Sequence, residues 1–178
     1  MKEAIQTLLT SDKMAHAFEY LKQDEAHTID QQIELVQISS FSPFEEKRAI
    51  RFKELLTEAG LDPVMDEVHN VYAHIHGTGN GPTLYVSAHL DTVFPPETPL
   101  PVKREGTKIY SPGIGDDTRG LAEILTLART IKESGLKPVG DKTVNLVGVF
   151  REEVAHAAEV SETFLTDVAA DNDISDRF

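Results

Sequence analysis

Two short apolar runs with an amphipathic segment between them constrain the fold of this chain most. Residues 83–88 (TLYVSA) and 143–150 (TVNLVGVF) read as strands buried on both faces. Between them Leu121, Ile124, Leu125, Ala128 and Ile131 recur at helical spacing, and Gly135 supplies a stop. Strand, loop, helix, strand in this order predicts an α/β fold, with a mixed, mostly parallel sheet flanked by helices. In such sheets functional groups gather at the carboxyl ends of the strands.

The upstream half fits this frame. Residues 2–38 read as helical, with one apolar stripe from Leu8, Leu9, Met14, Phe18 and Leu21 and a further segment around Ile33 and Val36. The run SSFSPFEEKRA predicts a helix start, with Ser42 as cap, Pro43 at the first position and Glu45 completing a capping box. Ala49, Phe52, Leu56 and Ala59 continue the helix to Gly60. PVMDEV and NVYAHIH then alternate like strands, and GTGNGP is a turn. The stretch KREGTKIYSPGIGDDT reads as a loop.

Charge and composition exclude several partners. With 178 residues, 40% of them hydrophobic, the chain can build a core. A net charge of −13 argues against nucleic acid, which needs clustered Lys and Arg, and against an anionic membrane surface. No apolar run approaches the ~20 residues needed to span a bilayer, and the first residues do not read as a signal peptide. The expected location is cytoplasmic. Cysteine is absent, so any zinc site must use His, Asp and Glu.

Three clusters supply such groups: His89-Leu90-Asp91, Gly115-Asp116-Asp117 and Glu152-Glu153. Residues two apart on extended backbone point the same way, so Asp91 can sit behind the His89 imidazole and fix its tautomer. Asp116 and Asp117 precede a helix, where a carboxylate serves as a cap or as a metal ligand. Glu152 and Glu153 are adjacent after an apolar strand and face opposite ways; one could ligate a metal and the other act as general base. Each pair also has a bland reading, as a surface strand-end pair, a cap, or an acidic helix start. His69, His74 and His76 read as strand or surface residues.

Together SAHLDTVFP, SPGIGDDTRGLAEIL and NLVGVFREE resemble, in order and spacing, the metal-site motifs of a dizinc peptidase and amidohydrolase family. That family includes peptidase T, carboxypeptidase G, aminoacylase, acetylornithine deacetylase and succinyl-diaminopimelate desuccinylase. The resemblance covers roughly residues 29–153 and implies the N-terminal part of a zinc-exopeptidase-like catalytic domain. It implies His89, Asp116 and Glu153 as metal ligands, with Asp116 bridging two Zn2+ ions. It gives Asp91 the role of orienting His89, and Glu152 that of general base. It also makes the Asp116–Asp117 bond a candidate for a cis peptide. Cobalt or manganese would suit the same donors. The implied reaction is hydrolysis of an amide in a small peptide or an N-acylated amino acid, and homo-oligomer formation would fit.

The chain departs from the family at two places. Thr118 stands where many members have Lys. After Glu153 the family usually continues through a Gly-containing loop to further ligands, whereas here VAHAAEVSETFL follows. Residues 151–178 hold eight acids against two bases, a divergent acidic tail from 154 onward. The expected organisation is residues 1–153 as the catalytic-type part, with 1–28 a helical extension, and 154–178 as the tail. Such a chain would be truncated and weakly active or inactive, with His156 a substitute ligand at most. The competing expectations are a non-catalytic metal-binding fragment and an acidic interaction module.

Overall fold

The computed structural model describes residues 2–79, 84–138 and 143–149. The N-terminal region folds as three helices: α1 (Lys2–Leu9), α2 (Asp12–Gln23) and α3 (Glu25–Val36). Ser11 breaks the first from the second and caps α2, its hydroxyl accepting from the Met14 amide. The apolar stripe expected here does not face a core. Leu8, Leu9, Phe18 and Leu21 are all exposed, and the buried positions are Ala17, Thr28, Gln31, Gln32, Leu35 and Val36. The reason is the surface these helices meet. Arg129 donates to Asp24 and Gln31, and Thr28 bonds Thr126 at 2.6 Å, so hydrogen bonding selects much of the buried side, while Leu35 joins the apolar core.

Helix α4 (Glu46–Glu58) buries Ala49, Phe52, Leu55 and Leu56 along one stripe. It begins later than the proposed capping box. Phe44 N bonds Phe41 O in a turn around the cis Ser42–Pro43 bond, and the helix starts only after it. Glu45 is the cap residue and makes no side-chain cap bond. Gly60, at φ +85, ends the segment, a conformation that glycine adopts without strain.

The sheet contains β1 (Val64–Met65), β2 (Val71–His76), β3 (Leu84–His89) and β6 (Thr143–Val149), in the order β1-β2-β6-β3. β6 runs antiparallel to β2 and parallel to β3, with His89 opposite Val149. The α/β, mixed architecture is as the sequence implies. Within the described part of this sheet one pairing of three is parallel, so the parallel share is smaller than expected. The stretch expected as a plain loop contains a hairpin, β4 (Lys103–Glu105) and β5 (Lys108–Tyr110), turning at Gly106. His74 and His76 are exposed strand residues.

Helix α5 (Thr118–Ser134) crosses over between β3 and β6. Leu121, Ile124, Leu125 and Ala128 are buried, and Gly135 closes the helix in the left-handed conformation at φ +63. These residues share one core cluster with Phe52, Leu55 and Leu56 of α4 and with Val71, Ala73, Ala88 and Leu90. α4 and α5 therefore cover one face of the sheet. β3 is less buried than its composition suggests: Leu84 is 58% exposed and Ser87 is exposed, because β3 lies last in the strand order.

Candidate functional site

His89 ends β3 and Asp116 and Asp117 precede α5, so one sheet edge and one helix start meet at the carboxyl end of the sheet. The His89 ring lies between two carboxylates. Its Nδ1 is 3.2 Å from Asp91 Oδ1 and 3.1 Å from the Asp91 carbonyl oxygen. Its Nε2 is 2.9 Å from Asp116 Oδ1. His89 and Asp91 are largely shielded, whereas the Asp116 side chain is 89% exposed. The hydrogen bond to Asp91 pushes the imidazole up to about 9, with Asp116 adding to this against the opposing effect of burial.

Asp117 has a different task from its neighbour. Its Oδ2 accepts from the His89 amide and its Oδ1 from the Gly120 amide, both at 3.1 Å. One carboxylate thus caps α5 and ties it to the end of β3. The Asp116–Asp117 bond is cis. Thr118 is fully buried and donates to the carbonyls of Gly113 and Ile114.

The donor chemistry suits a divalent cation. Asp91 engages Nδ1, so Nε2, which here meets the exposed Asp116 carboxylate, is the nitrogen that could face a cation. Among the described residues no group of three or more His, Cys, Asp or Glu converges as a metal site. Glu152 and Glu153 lie outside the described residues, as does His156.

Four residues escape the motif reading. Ser40, Arg48 and Thr92 are buried polar residues clustered around the backbone of residues 90–92. Glu45 is completely buried, and among the described residues neither carboxylate oxygen has a partner within hydrogen-bond geometry. Burial raises its carboxyl above the ordinary value of 4.5, and the negative charge of Asp91 adds to the shift. The available signal was that Glu45 and Arg48 fall on the same helical stripe as Phe52, Leu55 and Leu56.

The sequence model of peptidase family M28 matches residues 70–171, more than half of the chain and inclusive of all three clusters. The chain belongs to peptidase family M28. This M28 chain is 39% identical over 77 residues to carboxypeptidase G2 of Pseudomonas sp. (strain RS-16), covering 42% of this chain and 18% of that protein. It is 27% identical over 128 residues to the uncharacterized protein YqjE of Bacillus subtilis (strain 168), covering 64% and 34%. The matched part is thus about a third or less of these relatives' length. A tripeptidase from Staphylococcus aureus superposes with a TM-score of 0.57 at 29% identity, over 69% of this chain and 35% of that one. A Bacillus subtilis dinuclear metal-binding peptidase of family M20 shares the fold, with a TM-score of 0.55 at 18% identity over 82% and 41%. The family expected from the three motifs and the family found agree in being peptidases with this fold.

Proposed function

We propose that the chain carries the metal-binding part of a dizinc peptidase acting on small peptides. The observation that carries the reading is the His89 ring held between a shielded Asp91 and an exposed Asp116. In this reading His89 and Asp116 are ligands, and Asp116 is free on its outer side to reach a second cation. Asp91 holds the imidazole so that Nε2 faces the metal. Glu153 would be a further ligand, and Glu152 would take the proton from the attacking water and return it to the leaving amine. β6, which precedes both in the sequence, ends at Val149 beside His89 of β3. A bound divalent metal would supply polarisation of the scissile carbonyl. The tripeptidase and the dinuclear peptidase with this fold support the substrate class and the metal.

The test uses the purified chain with zinc or cobalt. Metal at about 100 times its dissociation constant adds about 2.7 kcal/mol, a rise in Tm of roughly 5–10 °C for a chain of this size. We expect that rise in the wild type and its loss in Asp116→Ala. Hydrolysis of di- and tripeptides, if the chain assembles a working site by itself, will disappear in Glu152→Gln. No metal-dependent rise in Tm would refute the reading.

A further inference from the structure

Arg48 is 1% exposed, yet it forms no ion pair among the described residues. Among the described residues its guanidinium bonds only backbone carbonyls. Nε and Nη2 donate to Ile38 O at 3.2 and 2.7 Å, and Nη1 donates to Leu90 O at 2.8 Å. The buried hydroxyl of Ser40 also donates to Leu90 O, at 2.7 Å. The Thr92 amide in turn donates to Ser40 O at 2.7 Å, and Phe41 bridges Thr92 in parallel.

These bonds flank one residue. Leu90 O belongs to the peptide plane before Asp91, and Thr92 N to the plane after it. Peptide planes are rigid, so anchoring one atom in each restrains both soft dihedrals of Asp91. Asp91 is the residue whose carboxylate and carbonyl both meet His89 Nδ1. A buried cation is a poor source of stability, since desolvation offsets what its bonds return. A merely space-filling role at position 48 would be met by an unbranched apolar side chain such as Met. A forked donor that spans two carbonyls meets a geometric need.

We infer that Arg48, with Ser40, is a positioning residue for the metal-site pair, holding the backbone on both sides of Asp91 so that its carboxylate stays on His89 Nδ1. The inference deepens the proposed function and rests on its assignment of Asp91. Its test needs neither metal nor turnover, so its failure is distinguishable from failure of the peptidase reading.

The experiment follows the His89 Nδ1–H proton by NMR in the metal-free chain at neutral pH, assigned by its disappearance in His89→Gln. In Arg48→Met we expect exchange of this proton with water to quicken about tenfold or more. Arg48→Lys, which reaches one carbonyl instead of two, should fall between Met and the wild type. Phe52→Leu, a buried change on the same helix, should lower Tm while leaving the exchange rate at the wild-type value. If Arg48→Met fails to fold, Arg48→Lys decides by the same readout. Wild-type exchange in a folded Arg48→Met or, failing that, in Arg48→Lys would overturn the inference. So would the absence of a protected Nδ1–H in the wild type.

Discussion

Burial of a single carboxyl at Glu45 gives a pH dependence with a definite sign. Its folded value lies above 4.5, so between the two values the folded state holds a proton that the unfolded state has lost. Stability from this group is therefore full below about 4.5 and falls as pH rises through the folded value. Glu45→Gln removes this titration. Its Tm should match the wild type in acid and exceed it by a margin that grows as pH rises from about 4.5 to the folded value and stays constant above it. A constant difference across that range would show that Glu45 does not titrate differently in the folded chain. Groups two residues apart were legible at this scale: His89 and Asp91 meet as the extended backbone requires. Arg48 was not, because its partners are the carbonyls of Ile38 and Leu90, and backbone acceptors leave no mark in a sequence.

At the level of elements, α5 is anchored through Asp117, and Gly120 decides whether it can be. A Cβ at Gly120 would stand 2.3 Å from Asp117 Oδ1. Alanine is ordinarily worth ~0.5–1 kcal/mol over glycine inside a helix. Loss of a capping carboxylate costs typically ~1 kcal/mol and up to ~2, and here the bond to the His89 amide is lost as well. The second effect should win, so urea unfolding of Gly120→Ala should show a net loss of about 1 kcal/mol. A net gain of similar size would mean that the Asp117 bridge carries no weight. α5 itself was readable because its apolar period and its Gly135 stop agree with each other. The start of α4 was misread because Ser42–Pro43 lies in a turn, where the same residue types have another use. The hairpin β4–β5 was missed because three-residue strands are too short to show a period.

Across the whole molecule, the N-terminal helices are held to α5 by a buried polar network. Asp24 and Arg129 are 7% and 8% exposed and pair directly, with Gln31 and Thr126 as further partners of the arginine. Removing one partner leaves a buried charge, so Arg129→Met should cost about 3–5 kcal/mol in chemical denaturation. Asp24→Leu added to it should recover most of that loss. Equal losses in the single and the double variant would place the energy in side-chain packing instead. This face was hidden from the sequence because apolar periodicity marks Leu8, Phe18 and Leu21, which the structure leaves exposed. The strand order carries a further consequence, for synthesis. β6 pairs with both β2 and β3, so the last described strand joins the two earlier ones. Roughly fifty residues separate His89 from Thr143. At about 5–20 residues per second, the ribosome presents the facing edges of β2 and β3 for several seconds before β6 exists to fill the gap. During that interval the nascent chain offers two unpaired edges to any neighbouring strand.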